Sequence, residues 1–150
     1  MDNLIWNIKA FNELSAEEFY KIMVARQAVF MIEQNVTYQD ADGYDDQALH
    51  LWAENTAGEL LAYCRLFPEH IKYAEASIGR VLTTEQGRGQ GLGKQLIAYA
   101  IECIENRYRT RNIRISAQDY LLKFYNDFGF KDTGKKYLED TIPHTEMLRA

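Results

Sequence analysis

The sequence predicts an α+β fold, a single domain over residues 1–150 in which a mixed central β-sheet is flanked by helices. Three observations carry that prediction. Strand-like and helix-like hydrophobic periods succeed one another in the order β-α-β-β-β-α-β-α-β-β, with no repeat, low-complexity tract or linker between them. A composition that is 47% hydrophobic and 26% charged over 150 residues suits one soluble unit large enough to bury a core. Finally, a glycine-rich turn, Arg88-Gly89-Gln90-Gly91-Leu92-Gly93, joins an expected strand to an amphipathic helix, an arrangement that can aim backbone N–H groups at an anion.

Taken in order, Ile5, Trp6 and Ile8 suggest an edge strand. Ser15-Ala16-Glu17-Glu18 reads as a capping box, and Phe19, Ile22, Met23, Arg26 and Phe30 follow at helical spacing, so a helix is expected over 16–31. Residues 38–46 are polar, contain Gly43 and read as a flexible loop. Two apolar runs, 49–54 and 60–67, form a hairpin across Asn55-Thr56-Ala57-Gly58, and Pro68 ends the second. A strand over 77–82 leads to the glycine turn. Beyond it Leu92, Leu96, Tyr99, Ala100, Cys103 and Ile104 share one helical face that would pack on the sheet. A strand at 113–116, a short helix bearing Leu121, Phe124, Tyr125 and Phe128, a Gly129 C-cap, a strand at 130–133 and a last strand near 145–149 complete the chain.

Several classes of function are disfavoured. A net charge of −5 opposes nucleic-acid binding, and the small basic cluster at 107–114 reads as a solvated helix end. No apolar run reaches the ~18 residues of a membrane helix and Met1-Asp2-Asn3 begins no signal peptide, so a cytoplasmic protein is expected. Cys64 and Cys103 lack CxxC spacing and read as buried thiols, which indicates neither a disulfide framework nor a zinc site. The acidic run Asp40, Asp42, Asp45, Asp46 fails as a calcium loop, because Gly43 falls at the fourth position and Leu51 stands where the bidentate glutamate belongs. No metal is expected. Arg26, on the apolar stripe of the first helix, needs a partner, for which Glu33 or an acid of residues 40–46 would serve.

The glycine turn fits neither common nucleotide loop. Its glycines do not fall at the first, third and sixth positions of a dinucleotide fingerprint, and a Walker register would place Arg88 at the first glycine and Gln95 at the magnesium hydroxyl. Arg88, Gly91 and Gly93 do match the Arg/Gln-x-x-Gly-x-Gly/Ala signature of the GNAT acetyltransferases, and the segment resembles that motif in spacing and in its strand-turn-helix setting. Phe124-Tyr125-Asn126-Asp127-Phe128-Gly129-Phe130 is similar to the family's second motif. Val29-Phe30-x-x-Glu33-Gln34, Tyr38-Gln39-Asp40-x-Asp42-Gly43-x-Asp45, His50-Leu51 and Ile142-Pro143-His144 resemble its ElaA-type branch, so the resemblance spans nearly the whole chain.

That resemblance implies the acyl-CoA N-acyltransferase fold and acetyl-CoA as cosubstrate. Main-chain groups at Val81 and Leu82 would pair with the pantetheine arm, and amides of Arg88, Gly89, Gln90, Gly91, Leu92, Gly93 and Lys94 would hold the pyrophosphate. Arg88 would add a cation. Tyr125 matches the tyrosine that protonates the departing thiolate. As general base, His50, His144, Glu33, Glu75 and the Glu139-Asp140 pair all qualify; His144 is preferred, because histidine titrates near ~6.5 and Pro143 stiffens the backbone beside it. His50, among Leu49, Leu51 and Trp52, reads as a packed structural residue. The expected activity is direct acetyl transfer to a primary amine of a small molecule or peptide. The alternative is a non-catalytic acyl-CoA-binding sensor. A homodimer is compatible with either.

Overall fold

Among residues 3–150, which the computed structural model describes, β1 (Ile5–Ala10) leads into α1 (Ala16–Arg26). The capping box forms as the sequence indicates: Ser15 Oγ accepts from the Glu18 amide at 3.0 Å, and Glu18 Oε1 accepts from the Ser15 amide at 2.9 Å. Lys9 donates to the same Glu18 at 2.8 Å and so ties α1 to β1. The helix does not run regularly to Met31. From Gln27 to Glu33 it widens into a π-helix, a rare form concentrated at functional sites.

β2 (Leu49–Glu54) and β3 (Leu60–Phe67) form the expected hairpin. There follow β4 (Ala76–Thr83), α2 (Leu92–Arg107), β5 (Ile113–Gln118), α3 (Leu122–Asn126), β6 (Lys131–Glu139) and β7 (Ile142–Arg149). They make one seven-stranded sheet in the order β1-β2-β3-β4-β5-β7-β6. Neighbours are antiparallel except β4 and β5, which are parallel and joined by the α2 crossover.

The sheet is packed on both faces. On one, Leu51, Cys64, Leu66 and Ile78 meet α2; on the other, Trp52 and Tyr63 meet Ile22, Ala25, Val29 and Phe30. Burial from both sides is why β2 and β3 read as continuous apolar runs. The buried stripe of α2 is Leu92, Leu96, Ile97, Ala100, Ile101 and Ile104, rotated from the expected face. Cys103 is only half-buried, and exposed Tyr99 leans on Trp6 with ring centroids 4.7 Å apart.

The C-terminal hairpin is longer than its apolar pattern indicates. β6 is the sheet's outer strand and exposed along nearly its whole length, so no in-out alternation marks it, and Gly134 (φ +90°) interrupts its register between Asp132 and Lys136. Arg114 of β5 holds the sheet's middle: it donates to Glu75 twice at 2.8 Å and to Glu146 of β7 at 2.7 Å.

Candidate active site

β4 and β5 pair only at Ala76↔Ile113 and Ser77↔Arg114, then diverge. A cavity of about 620 Å³ opens between them, with Val81 and Leu82 on one wall and Ala117 and Gln118 on the other. From Ile78 onward the β4 edge facing β5 has no strand partner, so its outward main-chain groups are available to a ligand. β4 also carries a bulge. Tyr63 pairs with Leu82 and Arg65 with Gly79, so Arg80 and Val81 together stand opposite Cys64. Arg80 takes the left-handed conformation there (φ +50°), a strained state for a residue with a side chain.

The glycine turn is held against β3. The Thr84 hydroxyl donates to the Leu60 carbonyl at 2.9 Å, the Gly87 amide donates to the Thr84 carbonyl at 2.9 Å, and a Cβ on Gly87 would lie 2.3 Å from the Leu61 carbonyl oxygen. Gly89 (φ +80°) and Gly91 (φ +73°) have nothing within 4 Å of where a Cβ would sit. Gly91 is the N-cap of α2 and offers no side-chain acceptor, which leaves the first-turn N–H groups free beneath open space. An anionic phosphate fits this cradle on geometry and on the helix dipole.

Of the residues anticipated for the cofactor, Val81, Leu82, Arg88 and Gly93 border the cavity. Gly89, Gln90, Gly91 and Lys94 are exposed, whereas the Leu92 side chain is buried, so only its main chain faces the turn. The Arg88 guanidinium is already engaged. Its Nη2 donates to Glu33 Oε1 at 2.5 Å and to the Thr83 carbonyl at 3.0 Å.

Tyr125 and His144 line the same cavity. Tyr125 is 5% exposed, its ring edge-on to Phe124 and Phe130 at centroid distances of 5.1 and 5.8 Å. Burial, reinforced by neighbouring Cys64, pushes the phenol well above its ordinary value of 10, so it stays protonated. His144 sits on β7 opposite Gln118 and Tyr137. Its Nδ1 is 2.8 Å from the Ile142 carbonyl, which can only accept, so the neutral ring carries its proton on Nδ1 and a lone pair on Nε2. Glu139 Oε2 lies 3.5 Å from that Nε2.

The other candidate bases separate. His50 is fully buried between the Tyr63 hydroxyl (2.7 Å) and the Asp45 carbonyl (2.9 Å), and burial lowers its pKa. Glu75 is bound to Arg114, which draws its carboxyl down to about 2. Glu33, Glu139 and Asp140 do border the cavity. Cys64 is fully buried, and burial pushes both its thiol and that of Cys103 up.

Sequence reasoning anticipated only the Arg26 part of a buried ion network beside the cavity. Arg26 pairs with Asp40 (2.7 Å) and Asp45 (2.6 Å), Arg65 with Asp42 and with Asp45 (2.9 Å), and Arg80 with Asp40 (2.8 Å). The Arg26 partners come from the acidic loop as expected, and not from Glu33, which holds Arg88. The loop is anchored by these pairs. Its signal in the sequence was Arg65 and Arg80, charges set inside otherwise apolar strands. Among the described residues no group of three or more His, Cys, Asp or Glu is placed to hold a metal ion, and no helix is long and apolar enough to cross a membrane.

Comparison with known proteins bears on what this arrangement does. The acetyltransferase (GNAT) domain family matches residues 8–149. A UPF0039 protein of Synechocystis is 38% identical over 143 residues, covering 95% of this chain and 93% of that one. The protein ElaA of Escherichia coli is 36% identical over 147 residues, covering 96% and 95%. The crystal structure of E. coli ElaA superposes with a TM-score of 0.91 at 33% identity over the superposition, covering 99% and 100% of the chains. That of an acyl-CoA N-acyltransferase from Pseudomonas aeruginosa superposes with a TM-score of 0.93 at 38% identity, covering 99% and 100%. The split sheet, the glycine turn and these matches agree: the chain belongs to the GNAT acetyltransferase family, with ElaA among its relatives.

Proposed function

We propose that this chain is an acetyl-CoA-dependent N-acetyltransferase that passes an acetyl group directly to a primary amine of a small molecule or peptide within a ternary complex, in the cytoplasm and without a metal. The observation that carries the reading is the meeting, around one cavity, of the unpaired β4 edge at Val81 and Leu82, the glycine turn and the Tyr125 phenol. Amides from Arg88 to Lys94 would hold the pyrophosphate, and the β4 edge would take the pantetheine arm as an added strand.

When bound, acetyl-CoA supplies an activated acyl carbonyl and a thiolate leaving group. The β4 N–H groups beside the bulge donate to the carbonyl oxygen as negative charge grows on it. His144 Nε2 takes the proton that the attacking amine loses, directly or through one water, and Glu139 steadies the resulting imidazolium. Tyr125 gives its proton to the sulfur as the C–S bond breaks, and solvent restores both groups. The raised pKa values of the buried Cys64 and half-buried Cys103 thiols favour direct transfer over a cysteine-linked route.

The test is a calorimetric titration with acetyl-CoA, CoA, ATP and NAD on the protein and on Gly91→Glu, followed by CoA-release assays over an amine panel. Acetyl-CoA binding that is lost in the variant, together with amine-dependent CoA release, is the expected result. Equal weakness for all four ligands overturns the cofactor site; tight binding without turnover on any amine makes the protein an acyl-CoA sensor.

A further inference from the structure

The charges around the acceptor side of the cavity fall into two poles. Behind its wall, Arg26, Arg65 and Arg80 face Asp40, Asp42 and Asp45, three cations against three anions, so the network is balanced within itself. Two donors at its cavity edge remain unspent. Arg80 is held from behind, with Nε 2.8 Å from Asp40 Oδ1 and Nη2 donating to the Asp40 carbonyl at 3.1 Å, while Nη1 makes no hydrogen bond among the described residues. Arg80 borders the cavity, and its side chain is 17% exposed. Lys72 borders the same cavity and forms no ion pair among the described residues; its ammonium stands 4.2 Å over the Tyr44 ring. Burial draws its pKa down from the ordinary lysine value, against the opposing pull of Asp42.

The second pole is acidic. Glu139, Asp140 and His144 line the cavity from the tip of the β6–β7 hairpin. Tyr38 borders the same cavity. Both groups of charges border one cavity together with Val81, where the acetyl group would be presented.

We propose that the acceptor is a small amine bearing a carboxylate, an α-amino acid or close analogue, with the carboxylate on Arg80 Nη1 and Lys72 and the ammonium toward Glu139 and His144. This rests on the acetyl-transfer reading above. Two single donors match a two-oxygen monoanion. Lys72, Arg80, Val81, Glu139 and His144 all border the same cavity of about 620 Å³, which suits an acceptor that carries its anion and its amine within one small molecule. A peptide amino terminus, whose neighbouring carboxyl is an amide, lacks the required anion.

The experiment measures CoA release with the twenty common amino acids, their carboxamides, the corresponding decarboxylated amines and phosphoethanolamine, on the protein and on Lys72→Gln and Arg80→Lys. Acetyl-CoA titration of each variant checks that it is folded and that the donor site is intact. The expected result is a preference of about ten-fold or more in kcat/KM for at least one free acid over its own amide and amine, carried by KM and narrowed in both variants. Equal or better turnover of the amides, amines or phosphoethanolamine overturns the inference and leaves acetyl transfer standing. Acetyl-CoA binding with no turnover of any free acid also overturns it. Failure to bind acetyl-CoA removes the acetyl-transfer reading itself.

Discussion

Arg88 of the glycine turn donates to Glu33 at 2.5 Å, joining the loop to the π-helical end of the first helix across 55 residues of sequence. The guanidinium sits beside the phosphate cradle with its charge already compensated. Replacing the carboxylate, in Glu33→Gln, is expected to tighten CoA binding about two- to five-fold at low salt, an effect that fades as salt screens it. Arg88→Ala should weaken binding. The pair is exposed, so either change should alter stability by less than about 1 kcal/mol. Calorimetry at two salt concentrations, with a thermal melt, checks both.

Gly87 and Gly89 should answer alanine differently. At Gly87 the new Cβ would meet the Leu61 carbonyl oxygen at 2.3 Å, and backbone must move, at a cost of about 1–3 kcal/mol and with loss of CoA affinity as the turn shifts. At Gly89 the space is open and only the left-handed backbone (φ +80°) resists, at about 1 kcal/mol. Thermal melts that rank Gly89→Ala as the more damaging would refute this account of the turn.

Tyr125→Phe is expected to lower kcat about 100-fold with little change in acetyl-CoA affinity. Because burial raises the phenol above 10, its acidic form persists throughout the neutral and mildly alkaline range, so Tyr125 should impose no fall in kcat between pH 7 and 10. An alkaline limb below pH 10 that disappears in Tyr125→Phe would contradict this.

Cys64→Ala with Cys103→Ala should retain turnover within about three-fold once the folded fraction is corrected for, since neither thiol is disposed to act as a thiolate. Mass spectrometry of the wild-type protein incubated with acetyl-CoA should find no acetyl group on either cysteine.

Burial alone would raise the Asp42 carboxyl, but its hydrogen bonds from Arg65 prevail and hold it well below the ordinary value of 3.8. A depressed folded-state pKa contributes stability that is complete above the unfolded value and lost as pH falls through the folded one. The protein should therefore hold its Tm from pH 7 to about 5 and lose it progressively below about 4. Asp42→Asn should cost about 2 kcal/mol at pH 7 and show a shallower acid decline, which thermal unfolding across that range reads directly.

What the sequence discloses depends on whether a residue's role is local. β2 and β3 match their expected bounds because both faces are buried and turn residues frame them. The Ser15 capping box and the glycine turn are likewise signalled within a few residues. The start of β6 was legible but its continuation beyond Thr133 escaped, because an outer strand exposed to water carries no alternation and Gly134 resembles a break where the chain merely bulges. The Arg80 bulge adds one residue to a strand without changing its composition, so only the register across Cys64 reveals it. The tether that sets the His144 tautomer depends on the turn at Asp140 and Thr141, both at positive φ, which no spacing rule flags. Arg88 and Glu33 are too distant in sequence for any pattern to join them.

The narrow seam of two residue pairs between β4 and β5 also divides the parts that the proposed function assigns to the two sides of the cavity. Every feature that would grip the donor lies on β4 and the turn into α2, while Glu139, Asp140, Ile142 and His144 all arrive on the β6–β7 hairpin. On the proposed function, exchanging that hairpin would change the acidic side of the acceptor site while Arg80, Lys72 and the proposed donor site stay in place.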